Sequence, residues 1–248
     1  MDKINNKCSI IVSSCDKYSD IWEAFFTLFF KYWPDCPFKI YLISGTKTYP
    51  DSRISTIFFG EDKQWASNIK LALQKISAPY FLYLQEDYLF KSAIDIKRIM
   101  DLLDVAMRHN VGCICLVPAP APDTALAQHP GLGEITKGKL YSVCLQATIW
   151  KKDTFESLLV DGETAWDMEI NGSGRSVGVQ EPFWGVYHKA VDYPDWTAVK
   201  RGMWLYDAVE LCQKEGITID TTKRRIESER RYLWRMARSQ KPKKNYGA

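Results

Sequence analysis

Two groups of acids in this chain of 248 residues have the types and spacing for chemistry. The first is Glu86-Asp87, which ends the run Pro79-Tyr80-Phe81-Leu82-Tyr83-Leu84-Gln85. A short apolar run, rich in aromatics and opened by proline, reads as a buried strand of an α/β sheet. In open α/β sheets, ligands bind just beyond the carboxyl ends of the strands. Two adjacent carboxylates at that edge are costly without a positive partner, either a cation or a basic side chain. Mg²⁺ or Mn²⁺ holding a diphosphate fits one or two carboxylates with open water positions. A solvated acidic turn after the strand is the plain alternative.

The second group lies in Gly162-Glu163-Thr164-Ala165-Trp166-Asp167-Met168-Glu169, followed by Asn171-Gly172-Ser173-Gly174-Arg175-Ser176. Thr164 can cap a helix, with Asp167 three residues later completing a capping box. That accounts for Asp167 structurally. It leaves Glu169 unexplained, and it leaves Trp166 beside two acids and a Gly/Ser loop bearing Arg175. A carboxylate kept ionised at a helix start and close to a bound hydroxyl is what a general base requires. Two such acidic sites suit metal-assisted group transfer, the first holding a nucleotide diphosphate and the second deprotonating an acceptor. Paired carboxylates also serve glycoside hydrolases. Adjacent residues diverge from a strand end, however, which suits a metal better than an opposed acid and nucleophile.

The elements that must position these groups alternate. Cys8 to Ser13 reads as a first strand. A helix follows it, with Ile21, Trp22, Phe25, Phe26, Leu28, Phe29 and Phe30 on a broad apolar face, broken by Pro34 to Pro37. Strands are expected at Lys39 to Ser44 and Ile54 to Phe59, a helix at Lys63 to Ile76, the acidic strand, then a helix from about Ala93 to His109. This rhythm predicts an α/β fold, a single Rossmann-like, mostly parallel twisted sheet with flanking helices. Beyond a strand at Val111 to Val117, Pro118 to Gly133 reads as a long loop. A strand at Lys139 to Trp150, a helix at Lys152 to Leu159 and a strand at Trp184 to Ala190 follow. Arg201 to Lys214 and Thr221 to Arg238 read as helices.

With 46% hydrophobic residues the chain can bury a large core as one domain. Met1 to Lys7 is polar and reads as no secretory signal, and no apolar run reaches the length that spans a bilayer. The seven cysteines are odd in number and scattered, which fits buried thiols in a reducing compartment better than zinc or disulfides. His109, His129 and His188 are too dispersed along the chain to suggest a metal cluster or a catalytic triad. The net charge of +3 hides an asymmetry. Residues 223–244 hold ten Lys/Arg against Glu227 and Glu229, a net of +8, which leaves −5 for the remainder. An acidic body argues against nucleic acid as a partner. The basic segment interleaves Ile226, Tyr232, Leu233, Trp234 and Met236 with its cations, a pattern for an amphipathic helix on an anionic membrane surface.

Taken in order, these motifs resemble bacterial glycosyltransferases of the A-type fold (GT-A-like), enzymes that build surface polysaccharide or lipopolysaccharide. The resemblance spans about residues 8 to 190. It rests on Ser13-Ser14-Cys15-Asp16-Lys17-Tyr18-Ser19-Asp20-Ile21-Trp22, Lys31-Tyr32-Trp33-Pro34, Trp65-Ala66-Ser67-Asn68, Gln85-Glu86-Asp87-Tyr88 and Trp166-Asp167-Met168-Glu169. It implies a nucleotide-sugar donor held by Ser13, Ser14, Asp16, Trp65, Asn68, Glu86 and Asp87. Glu86-Asp87 stands where the family has Asp-x-Asp, and Asp87 is the implied ligand of a divalent cation. Asp167 and Glu169 stand where inverting members place the base, with Asp167 slightly preferred and Trp166 and Arg175 on the acceptor side. The acceptor would be a saccharide or lipid-linked saccharide, and the enzyme cytoplasmic or peripheral on the inner face of the membrane. Residues 1–220 would form the transferase domain, with 1–117 binding the nucleotide sugar and 118–220 the acceptor. Residues 221–248 would be a basic helix and tail. The rival expectation is a non-catalytic protein that binds a nucleotide, a sugar or an anionic surface through that tail.

Overall fold

The computed structural model describes residues 6–194 and 196–239. Its centre is a sheet of nine strands among the described residues: β1 (Cys8–Ser13), β2 (Lys39–Ser44), β3 (Ile54–Phe58), β4 (Tyr80–Gln85), β5 (Cys113–Cys115), β6 (Thr124–Ala125), β7 (Leu132–Glu134), β8 (Thr148–Lys151) and β9 (Phe183–Val186). They lie in the order β3-β2-β1-β4-β8-β5-β9-β7-β6. β1 and β4 are central and buried on both faces, which is why their sequences are continuous apolar runs. Their alternate residues feed two cores. Ile10, Val12, Leu82 and Leu84 pack with helices Trp22–Tyr32 and Ile96–Arg108, while Ile11, Phe81 and Tyr83 pack with Trp65–Leu73 and Lys152–Leu158. The result is three layers, helices over both faces of one sheet.

The sheet is mixed, not mostly parallel. β3, β2, β1 and β4 run parallel, with helical crossovers between β1 and β2 and between β3 and β4 and a loop between β2 and β3. β8 then enters antiparallel between β4 and β5, and β7 pairs antiparallel with both β9 and β6. The expected strand Lys139 to Trp150 shrinks to β8 because left-handed residues at Gly138 and Tyr141, with φ of 85° and 62°, force turns before it. The expected loop Pro118 to Gly133 contains β6 and the start of β7, which close the far edge of the sheet.

The C-terminal third departs furthest. Residues from Arg201 do not begin a helix. Arg201 and Gly202, both at positive φ, turn a small hairpin of β10 (Val199–Lys200) and β11 (Met203–Trp204), and helix Tyr206–Lys214 starts after it. The helix expected from Thr221 starts only at Glu229 and runs to Ser239. The residues from Thr221 to Arg224 form a turn and bend, and Ile226 then bridges in parallel to Trp204. Residues 240–248, part of the basic tail, lie outside the described residues. All seven cysteines are free thiols. Among the described residues no helix is long and apolar enough to cross a membrane.

Candidate active site

Parallel pairing with Ser13 opposite Gln85 puts the ends of β1 and β4 side by side, so the loops after both strands share one edge. The hydroxyls there pin aromatic rings. Ser13 Oγ accepts from Trp65 Nε1 at 3.0 Å, and Ser14 Oγ accepts from Trp22 Nε1 at 2.7 Å. Trp65 opens its helix and stands edge-on to Tyr83 and Phe155, with centroids 6.3 Å away in each case.

Asp16 is a clamp. Its carboxylate accepts from Ser44 Oγ and Thr46 Oγ1, both at 2.7 Å, and from the amides of Gly45, Thr46 and Lys47 at 3.1 to 3.2 Å. Burial raises its titration, but these donors outweigh burial and hold the group well below the usual carboxylate range. The loop after β2 is thereby fastened to the loop after β1. Asn68 does the same for the loop before its own helix, accepting from the Lys63 amide at 3.1 Å and donating to Asp62 Oδ1 at 2.8 Å.

Glu86 is buried and Asp87 is half-buried at the end of β4. Burial pushes the Glu86 carboxyl up, reinforced by the charge of Asp87, against a hydrogen bond from Ser14 and the attraction of Arg224. Burial likewise raises Asp87, to about 7, with Arg224 acting in the opposite direction. Two acids here are therefore short of positive charge. Among the described residues no three acid, histidine or cysteine side chains come together as a cation cage. A divalent ion would rest on Asp87 with Glu86 and complete its shell with phosphate oxygens and water, a coordination Mg²⁺ accepts. The charge deficit of the pair fits such an ion.

The second acidic segment reaches the same edge. The Glu163 carbonyl accepts from the Ala66 amide at 3.0 Å, and Ser67 Oγ accepts from the Gly162 amide at 3.1 Å. Thr164 and Asp167 form the expected capping box, with Thr164 Oγ1 donating to Asp167 Oδ2 at 2.6 Å. Those bonds from Thr164 hold the Asp167 carboxyl below its ordinary range. The helix continues through a π-turn, Met168–Gly172, in which Glu169 is half-buried. Glu169 Oε1 accepts from the Leu145 amide at 3.0 Å, and burial raises its titration despite that bond. Tyr88, next to Asp87 in the chain, is linked toward Glu169 through Tyr193, Gln146 and Leu145. Its ring lies 4.8 Å from that of Tyr193, whose hydroxyl donates to Gln146 Oε1 at 2.8 Å.

Trp166 is 74% exposed. Arg175 forks onto Glu163 at 2.9 and 2.6 Å and donates to the Leu158 carbonyl at 2.7 Å, so the structure places it in a staple between two segments. Sequence reasoning missed two members of the edge. Tyr88 follows the acid pair directly and was visible in the motif. Arg224 was not, because nothing in its surroundings in sequence points back across two hundred residues. At the opposite end of the sheet His109 and His129, remote in sequence, meet with Nε2 atoms 3.1 Å apart against Trp184.

No protein-family model matches the chain, and no curated protein matches it. Solved structures do. S. aureus TarS 1-349 in complex with UDP-GlcNAc superposes with a TM-score of 0.51 at 12% identity, over 76% of this chain and 58% of that one. The chain shares its fold with a nucleotide-sugar-binding protein. It spans less than two thirds of that fragment. The same fragment in complex with UDP matches with a TM-score of 0.47 at 10% identity, covering 76% of this chain and 60% of that one. The bifunctional IspDF from Campylobacter jejuni matches with a TM-score of 0.43 at 15% identity, covering 75% and 51%.

Proposed function

We propose that this chain is a glycosyltransferase that moves a sugar from a nucleotide-sugar donor to a saccharide or lipid-linked saccharide acceptor in the assembly of a bacterial surface glycan. The observation that carries this reading is the charge-deficient pair Glu86-Asp87 at the carboxyl edge of β4, in a fold shared with a protein crystallised around UDP-GlcNAc. The donor's nucleoside lies along the loops that Asp16 and Asn68 fasten, with Trp65 as a flat wall. Asp87, with Glu86, would hold a divalent cation, whose chemistry there would be to neutralise the negative charge of the donor diphosphate.

Glu169 is the general base. Asp167 is bound into its cap, whereas Glu169 is half-buried, accepts from the Leu145 amide and is raised in pKa by its burial. It takes the proton of the acceptor hydroxyl as that oxygen bonds to the anomeric carbon. The bond from that carbon to the diphosphate breaks, the nucleoside diphosphate leaves, and the configuration inverts. Trp166, broad and exposed, offers a face for acceptor sugar rings. Work at the inner face of a membrane fits the helix Glu229–Ser239, which exposes Leu233 by 58% and Trp234 by 61% among basic residues.

Thermal shift and turnover with UDP-, GDP-, CMP- and dTDP-sugars, each with and without Mn²⁺, test the reading. One donor should raise Tm, and its sugar should reach an acceptor. Asp87→Asn should abolish the Mn²⁺-dependent part of both effects. A chain that no sugar nucleotide stabilises would overturn the proposal.

A further inference from the structure

The segment after Asp220 turns back onto the body. Asp220 Oδ1 accepts from the Thr222 amide at 2.9 Å, the Arg225 carbonyl accepts from the Trp204 amide at 3.1 Å, and the Glu227 amide donates to the Trp204 carbonyl at 2.8 Å. Trp204 is wholly buried, so the segment is fastened to the core. This anchoring delivers Arg224 to the loop after β1. Its Nε donates to Asp20 Oδ2 at 2.7 Å, its Nη2 donates to the Lys17 carbonyl at 2.5 Å, and the guanidinium lies 4.4 Å over the Tyr18 ring.

The Asp20 side chain is 1% exposed and that of Arg224 12%. The guanidinium therefore sits in a poorly solvated place, where its charge acts at longer range than it would in water. It lies against the loop after β1, a strand whose end pairs with the end of β4 that bears Glu86 and Asp87. Asp20 balances one charge and the two strand-end acids remain, yet Arg224 Nη1 makes no hydrogen bond among the described residues. A planar guanidinium, oriented by one carboxylate and one carbonyl beside a nucleotide-type edge, is prepared for phosphate oxygens.

We propose that Arg224 is a donor-site residue that takes the diphosphate of the nucleotide sugar, and that residues 221–228 are a wall of the site. The proposal rests on the glycosyltransferase reading and names the part of the donor that the C-terminal segment recognises.

Calorimetric titration with UDP, GDP, CDP and dTDP, each paired with its own nucleoside, separates the possibilities. The wild-type chain should bind one diphosphate more tightly than its nucleoside. Arg224→Gln should weaken that diphosphate about tenfold or more and leave the nucleoside unchanged, the size expected of one charge-assisted hydrogen bond to phosphate. Arg224→Lys, which keeps the charge and loses the fork, should fall between. If the glutamine variant fails to fold, the lysine variant decides by the same comparison. Equal losses for diphosphate and nucleoside, or no loss, would make Arg224 a staple for Asp20 and overturn the assignment. A wild-type chain that binds none of the diphosphates would instead remove the donor-site reading, and the assignment with it.

Discussion

Arg235 joins the helix Glu229–Ser239 to the body through a network with measurable weight. Its Nη2 lies 2.7 Å from Asp207 Oδ2 and 2.9 Å from Glu227 Oε2, and its Nε donates to Glu227 Oε1 at 3.3 Å. The side chains of Arg235 and Glu227 are 10% and 6% exposed. Arg235→Ala removes these bonds and leaves Glu227 buried without a counter-charge, an uncompensated state that costs about 3–5 kcal/mol. A helix of eleven residues holds little structure of its own, so the loss should fall on docking. At 1.36 kcal/mol per factor of ten, the undocked population should rise roughly a hundredfold or more. Trypsin reports it directly, since Arg230 and Arg231, within the helix, become cleavable when it leaves the body and unwinds. Glu227→Gln combined with Arg235→Met removes both charges and should recover most of the loss. Cleavage of Arg235→Ala at the wild-type rate, with an unchanged urea midpoint, would refute the docking energetics.

Three further outcomes follow from the same geometry. Glu169→Gln should lower turnover about a hundredfold or more, while Asp167→Asn should lower Tm and leave the rate near wild type. Because Glu169 must be ionised to act and burial raises its pKa, the acid limb of kcat should lie above the usual carboxylate range; a limb at an ordinary glutamate value would remove Glu169 from the role. Asp16 has a lowered folded pKa, so its stabilisation is complete above the ordinary aspartate value and fades as pH falls through the folded one. Asp16→Asn should therefore melt below wild type at pH 7, with the gap closing in acid. Trp234→Ala with Leu233→Ala should reduce co-sedimentation with phosphatidylserine vesicles, and salt should weaken the wild-type binding; an unchanged bound fraction excludes that face from the contact.

The parallel half of the fold was legible because buried parallel strands carry an undisguised signal. Cys8–Ser13 and Tyr80–Gln85 are apolar on both faces, and the acids that end the second run mark the edge where ligands sit. In the other half the expected strands at Val111 to Val117, Lys139 to Trp150 and Trp184 to Ala190 overlap β5, β8 and β9. But β6 and β7, of two and three residues, are too short to show periodicity, and strand direction leaves no mark in residue types. Residues 139–147 alternate like a strand but hold Tyr141 in the left-handed region, a tertiary choice that local pattern does not encode. For the site, sequence brought Glu86, Asp87 and the capping box of Thr164 and Asp167 into view. It put Asp167 slightly ahead of Glu169 as base, and the π-turn at Met168–Gly172 and the bond from the Leu145 amide to Glu169 leave no trace in residue types. The basic C-terminal segment read as a free amphipathic tail because composition counts charges without locating partners, and Arg224 and Arg235 find theirs on Asp20, Asp207 and Glu227.

The antiparallel insertion of β8 explains how the two acidic segments come to one edge of the sheet. A strand parallel to β4 would enter the sheet at the amino edge, and the residues before it would lie a strand length from Glu86 and Asp87. β8 runs the other way, with Thr148 opposite Tyr83 and Lys151 opposite Tyr80, so residues 144–147 arrive at the carboxyl edge just before it begins. The Leu145 amide is thereby available to Glu169, and Gln146 to Tyr193 beside Tyr88. The helical segment that bears Glu169 is tied independently to the donor side, through Glu163 to Ala66 and Gly162 to Ser67. One reversal of strand direction thus brings residues 144–147 to the edge that bears Glu86 and Asp87, and Glu169 is held there by a backbone amide that, at position 145, only proline would remove.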